Sequence, residues 1–309
     1  MHVVAYFLGI DGGGSKTTAV LGDETSVLAS VTVGGSNITH VGEDRSRDAL
    51  QEAICEICRQ AGIEPSQVTG VCAGIAGTAR EEARKQVAHV LANTVPGKVE
   101  VVGDMVIAHE AALGGAPGIV VLAGTGSIAY ARHASGQTAR AGGWGFAISD
   151  EGSGHWIGVQ AVAAIAQARD EGRHTKLSDR VLERWSLISY DELMRHANSS
   201  PAPKFAELFP VVLATAEAGD SQARDILIRA GVKLAGLAQV VFRRLWSTGD
   251  AIEIALAGGI FENSGLVCEA FKSDLRSSIP QARISLSTRS AAEGALALAR
   301  KRPQCNPTK

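Results

Sequence analysis

Apolar and polar positions fall into short blocks over the first hundred residues. "YFLGID" (6–11) is an apolar run, three glycines follow, and "TTAVL" (17–21) is β-branched and apolar again. A Gly-rich break between two strand-like runs predicts a hairpin. "SVLASVTVGG" (26–35) predicts a third strand, and the stretch from about Ser46 to Ala61 a helix, because Leu50, Ile54, Ile57 and Ala61 share one face. Strands at "VTGVCAGIAG" (68–77) and "KVEVVGD" (98–104) flank a helix from Arg80 to about Leu91, so the order is β-β-β-α-β-α-β.

The same pattern then returns. "GIVVLAGTGSIAYARHASGQTARAGG" (118–143) is again strand, Gly/Thr/Ser loop and strand, which predicts an internal duplication. Beyond Gly154 the period is helical almost throughout to 246, with turn signals at "SSPAP" and "AGD". A strand at 251–260, a helix, the strand "ARISLS" and a closing helix "SAAEGALALARK" complete the chain, with a frayed tail "PQCNPTK". With 309 residues, two domains are expected: 1–116 joined by the closing helix 290–302, and 117–289 carrying the helical region 155–247.

Bulk properties narrow the function classes. Net charge is −2, which excludes a broad basic face for nucleic acid. No apolar run reaches the roughly 20 residues of a membrane span, and "VVAYFLGI" lacks the basic leader of a signal peptide. Five cysteines in no framework spacing fit reduced thiols in the cytoplasm. Cys55 and Cys58 form C-x-x-C, but in mid-helix, where plain packing is the simpler reading.

The glycines carry the candidate chemistry. Gly9 to Gly14 has the Gly spacing of a Walker A loop, but Ser15 stands where its Lys belongs and a strand follows where its helix should start. The Rossmann fingerprint fails for the second reason. What remains is a hairpin tip, Gly12, Gly13, Gly14, Ser15 and Lys16, whose N–H groups face a polyphosphate, with glycines at positive φ forming a nest. Asp11 closes the first strand and is placed to orient hydrated Mg²⁺. "AGTGS" offers Thr125, Gly126 and Ser127 as a second phosphate hairpin, and Gly258 and Gly259 in "LAGGIFENS" would leave room for a flat adenosine.

These motifs, with "GSN", "GVCAGIAG", "VVGDMVIAHEAA" and "GGWGFAISDEGSGHWIG", run in an order that resembles the actin/hexokinase/Hsp70 superfamily. More narrowly, the chain resembles its N-acetylglucosamine kinase branch, grouped with the BadF/BadG/BcrA/BcrD ATPases. The resemblance implies two duplicated actin-like, ribonuclease H-like α/β domains with a cleft between them. It implies ATP- and Mg²⁺-dependent phosphorylation of a sugar 6-hydroxyl, with Asp104 as general base. Asn37, Asp104, Thr125, Trp144, Gly145 and Asp150 would read the sugar, and Ala216 in "ATAEAGD" would lie near the adenine.

It further implies a cytoplasmic homodimer acting on a small sugar. N-acetylglucosamine is the expected substrate, with glucosamine and N-acetylmuramic acid as alternatives. A different class in the same family, ATPases that activate 2-hydroxyacyl-CoA dehydratases through an iron–sulfur cluster, is the competing reading. A helix cap for Asp104, and core filling for Trp144, are the competing structural roles.

Overall fold

The computed structural model describes residues 4–78 and 80–301, so Cys305 and the tail lie outside the described residues. In chain order the elements are β1 (Tyr6–Gly12), β2 (Lys16–Gly22), β3 (Val27–Gly34), α1 (Ile38–Val41), α2 (Glu43–Ala61), β4 (Val68–Ile75), α3 (Glu81–Thr94), β5 (Lys98–Val102) and α4 (Asp104–Leu113). They continue with β6 (Gly118–Ala123), β7 (Ser127–Arg132), β8 (Thr138–Gly142), α5 (Gly154–Asp170), α6 (Lys176–Arg184), α7 (Tyr190–Ala197), α8 (Phe209–Glu217) and α9 (Ser221–Leu245). The last are β9 (Ile252–Ala257), α10 (Gly259–Asn263), α11 (Gly265–Ser278), β10 (Ala282–Leu286) and α12 (Ala291–Lys301). The chain forms two compact units, Met1–Ala116 with Ser287–Lys309, and Pro117–Leu286.

In the first unit the sheet order is β3-β2-β1-β4-β5. β1 pairs antiparallel with β2 and parallel with β4, and β4 pairs parallel with β5. The central strand β1 is apolar on both faces because helices cover both. On one side Leu8 and Ile10 pack with Leu50 and Ile54 of α2 and Val87 and Leu91 of α3. On the other, Phe7 and Val20 pack against Ala292 and Leu296 of α12. Gly9 permits that contact: a Cβ there would lie 2.2 Å from the Leu296 backbone nitrogen. Gly294 lets α12 lie as closely on α4, since a Cβ would stand 2.1 Å from the Ile107 carbonyl oxygen.

The second unit repeats the plan, with sheet order β10-β9-β6-β7-β8. β6, β7 and β8 form an antiparallel meander, and β6, β9 and β10 run parallel. The duplication expected from the sequence is therefore present in strand order and direction. Its core joins Ile119 and Val121 of β6 to Ile157 of α5, Val212 of α8, Leu234 of α9 and Phe271 of α11.

Two local expectations shift. α2 begins three residues before Ser46, at Glu43, directly after Gly42 at φ 87°. α3 continues past Leu91 to Thr94, whose hydroxyl donates to the Val90 carbonyl at 2.8 Å inside the last turn.

Candidate active site

In the first unit, three parallel strands end at one edge of the sheet, where the register aligns Asp11 with Gly74 and Gly74 with Val102. The segments that follow these strand ends carry polar chemistry, the usual place for a site in an open parallel sheet. Asp11 is the penultimate residue of β1 and Asp104 opens α4. Gly103 is the N-cap of that helix, and the Asp104 carboxylate accepts the Met105 N–H at 3.0 Å with Oδ1. Asp104 is therefore not the cap of α4, and one of its carboxylate oxygens is engaged by the neighbouring N–H.

Burial pushes the Asp11 carboxyl up to about 6, the nearby Asp104 charge adds to the rise, and Lys16 opposes it. Asp104 is also raised, by desolvation first, with its backbone hydrogen bonds opposing. Two carboxylates in electrostatic reach of one another on a half-buried edge make a strongly negative position. Hard oxygen donors of this kind suit Mg²⁺, which takes one or two carboxylates together with substrate phosphates.

The β1–β2 hairpin turns over Gly13 to Lys16, where the Gly13 N–H donates to the Lys16 carbonyl at 2.9 Å. None of Gly12, Gly13 or Gly14 has positive φ, which corrects the nest expected from the sequence. These glycines serve close approach instead. A Cβ on Gly12 would lie 2.2 Å from Ser36 Oγ, and one on Gly14 3.1 Å from the His40 ring. The Gly14 and Ser15 N–H groups make no hydrogen bond among the described residues, and the Ser15 and Lys16 side chains are exposed. The tip can therefore donate to an anion.

Asn37 N-caps α1, and its Oδ1 accepts both the Thr39 N–H at 3.1 Å and the Thr39 hydroxyl at 2.7 Å. Because both partners are donors, the amide orientation is settled and the NH₂ is left to face a ligand acceptor. Gly77, at φ 86°, packs under this amide: a Cβ there would stand 2.6 Å from Asn37 Oδ1. Thr78 ties the same turn to the end of β5, sharing its hydroxyl hydrogen between the carbonyls of Ile75 at 2.7 Å and Val102 at 3.2 Å. Asn37 and Asp104 are thereby set by one connected turn system.

The second unit's residues behave differently. The β6–β7 turn is braced from below: Gly154 and His155 N–H groups at the start of α5 donate to the Gly124 and Thr125 carbonyls at 2.8 and 3.2 Å. Thr125 is exposed at the tip beside Gly126. Ser127 is turned inward, 3 % exposed, and its hydroxyl donates to the Glu151 carbonyl at 2.8 Å.

Asp150, 7 % exposed and at φ 71°, accepts the Ser127 N–H at 3.2 Å. A Cβ on Gly126 would meet that carboxylate at 3.1 Å. Ser127 and Asp150 thus brace the hairpin they were expected to serve as ligand contacts, because a tight turn with buried N–H groups needs an acceptor beneath it.

Trp144 does not fill the core, which removes one of the two roles expected of it. Its ring is 64 % exposed, with the Arg140 guanidinium 4.2 Å from the centroid. Gly145 sits at φ 95° in open space within the same exposed loop. Ala216 is 2 % exposed inside the second unit's core, so its side chain packs against protein and not against an adenine. Gly258, at φ 98°, makes way for the backbone of Ala123, whose carbonyl oxygen a Cβ would approach to 2.5 Å. Gly259 leaves open space, with nothing nearer than Asn263 at 3.8 Å.

Sequence reasoning missed Ser36, Thr17, Gly77 and Thr78. The polar run "GGSN" held the signal for Ser36, but its buried partner Thr17 sits in a strand where alternation alone marks only a facing direction.

The sequence profile of the BadF/BadG/BcrA/BcrD ATPase family matches residues 8–299. The chain belongs to that family. Among its curated relatives, the N-acetylmuramic acid/N-acetylglucosamine kinase of Clostridium acetobutylicum is 33 % identical over 96 % of this chain and 98 % of its own. The N-acetyl-D-glucosamine kinase of Dictyostelium discoideum is 29 % identical over 95 % of this chain and 97 % of its own. A solved structure from Chromobacterium violaceum, provisionally named N-acetylglucosamine kinase, superposes with a TM-score of 0.78 at 28 % identity, covering 96 % of this chain and 99 % of that one. The chain shares the actin-like α/β fold of that solved structure.

Proposed function

We propose that the protein transfers the γ-phosphoryl group of ATP to the 6-hydroxyl of an amino sugar, with N-acetylglucosamine as the preferred substrate. The observation that carries this reading is the pairing of Asp11 and Asp104 at the strand-end edge that also holds the glycine hairpin and Asn37. Full-length similarity to amino-sugar kinases supports the substrate class.

In this reading the sugar hydroxyl donates to the free oxygen of Asp104 and accepts from the Asn37 NH₂. The hydroxyl proton passes to Asp104 as the sugar oxygen bonds phosphorus and the bond to the β,γ-bridging oxygen breaks, releasing ADP. Burial makes Asp104 a stronger base than a solvated carboxylate, which suits proton acceptance near neutral pH. The transition state for phosphoryl transfer is loose, so orientation and charge stabilisation supply most of the rate.

The Gly14 and Ser15 N–H groups and the Lys16 ammonium serve the phosphates. Asp11 is the residue that would hold Mg²⁺, which when bound neutralises phosphate charge. Thr125, Gly126 and Gly259 are proposed nucleotide contacts, and Trp144 and Gly145 sugar contacts, on the family resemblance together with their exposure or open surroundings. We also infer a cytoplasmic homodimer on that resemblance.

Glucosamine and N-acetylmuramic acid differ from N-acetylglucosamine only around carbons 2 and 3, and are the alternative substrates. A cluster-bearing activator is disfavoured by its cysteines. Cys58 is buried in α2 with its thiol pushed up to about 11, mainly by desolvation, so a thiolate ligand there is costly. Following phosphate transfer from ATP to each candidate hexosamine tests the proposal.

A further inference from the structure

Ser36 is fully buried between the glycine hairpin and Asn37, and every polar atom it has is engaged. Its Oγ accepts the Thr17 hydroxyl at 2.8 Å, from the second strand of the hairpin. Its N–H donates to the Gly13 carbonyl at 3.0 Å, and the Asn37 N–H donates to that same oxygen at 3.0 Å. Its own carbonyl accepts the Ser46 hydroxyl at 2.7 Å, which anchors the loop to α2.

Sterics close the same contact. Gly12 has no room for a Cβ against Ser36 Oγ, and a Cβ on Gly35 would lie 2.3 Å from the Gly14 carbonyl oxygen. Hairpin tip and Asn37 loop therefore move as one piece: displacing the tip must break the paired hydrogen bonds at Gly13 or push Ser36 out of its buried seat.

We infer that Ser36 is a positioning residue that locks the sugar-reading amide of Asn37 to the phosphate hairpin, so that nucleotide and sugar each raise the affinity for the other. The inference rests on the reading of Asn37 as a sugar contact. Anion binding at Gly14 and Ser15 orders the tip, the tip fixes Gly13, and the Gly13 carbonyl accepts the Ser36 and Asn37 N–H groups, a contact that the buried Thr17–Ser36 hydroxyl bond keeps in register. Coupling of this kind is reciprocal: whatever the nucleotide adds to sugar affinity, the sugar adds to nucleotide affinity.

The test is titration of the full-length protein with N-acetylglucosamine, with and without a non-hydrolysable ATP analogue and Mg²⁺. The variants are Ser36→Ala, Asn37→Ala and the double mutant. In the unmodified protein the analogue is expected to tighten sugar binding. Ser36→Ala is expected to weaken sugar binding about 5- to 10-fold and to abolish the tightening, the effect of losing one buried hydrogen bond. On the Asn37→Ala background it should add less than about 2-fold, because Ser36 acts through Asn37.

Thr17→Val removes the same bond from the donor side and should reproduce the result, which keeps the test open if Ser36→Ala fails to fold. Equal losses on both backgrounds, or no loss from either Ser36→Ala or Thr17→Val, overturn the inference. If Asn37→Ala weakens sugar binding and Ser36→Ala does not, this inference alone falls. If Asn37→Ala leaves sugar binding unchanged, the sugar reading of Asn37 falls with it.

Discussion

Asp11, the last polar residue of the central strand, lies in electrostatic reach of Asp104, the first residue of α4, whose charge adds to the burial that raises the Asp11 carboxyl. Each is costly to bury alone, and the chain tolerates both at one edge without a salt bridge to either among the described residues. Destabilised charge of this kind is what a cation or a proton-donating substrate relieves.

Replacing Asp104 by Asn keeps size and shape but removes the base. Turnover is expected to fall by at least about 100-fold, the usual scale for loss of a general base. Sugar and nucleotide affinities should change by less than about 3-fold, since the amide still accepts the Met105 N–H. Steady-state kinetics with parallel binding titrations check this, and near-normal turnover would remove Asp104 from the mechanism.

Asp11 gives a pH signature in the ligand-free protein. Its carboxyl titrates near 6 when folded against a reference of 3.8, so the folded state holds a proton that the unfolded state has lost. Stability from this group is therefore highest below 3.8 and declines as pH rises to about 6. Asp11→Asn should flatten that part of the profile and raise stability at pH 8 by about 3 kcal/mol. Urea unfolding across pH reads it directly, and an unchanged profile would contradict the assigned burial.

Two glycines should respond oppositely to alanine. Gly9→Ala forces a Cβ into the backbone of α12 at Ala292 and Leu296, which cannot yield locally. A loss of about 3 kcal/mol is expected from that overpacking. Gly236 lies within α9, where a methyl group would meet nothing within 4 Å, so Gly236→Ala should gain about 0.5–1 kcal/mol from helix propensity. Thermal denaturation of the pair separates close packing from mere glycine content.

Ser127 distinguishes brace from ligand. Ser127→Ala deletes the hydrogen bond to Glu151, and should cost about 1 kcal/mol of stability while leaving the KM for ATP within about 2-fold. A large rise in that KM with unchanged stability would return Ser127 to the nucleotide.

Much of this was legible in the sequence where periodicity and glycine placement act locally. The strand–loop–strand character of residues 7–21 follows from β-branched residues after the glycines, and the mid-helix position of Cys55 and Cys58 from the spacing of Leu50, Ile54 and Ile57. What the residues at the tips do was not legible, because it depends on neighbours distant in sequence. The glycines Gly12 and Gly14 look permissive of positive φ, yet their conformation is ordinary and their value is the room they leave for Ser36 and His40. Asp150 carries the charge of a sugar contact, but its left-handed backbone turns it under the second hairpin. Gly258 is small because Ala123 is already there.

The central claim is phosphoryl transfer to an amino sugar. Its most direct measurement is mass spectrometry with phosphorus NMR of the products formed from ATP, Mg²⁺ and N-acetylglucosamine, run beside glucosamine, N-acetylmuramic acid and glucose. The expected result is a hexosamine carrying one phosphate on its 6-oxygen, formed in equal amount with ADP and fastest from N-acetylglucosamine. ADP formed with no phosphorylated sugar from any of them would contradict it.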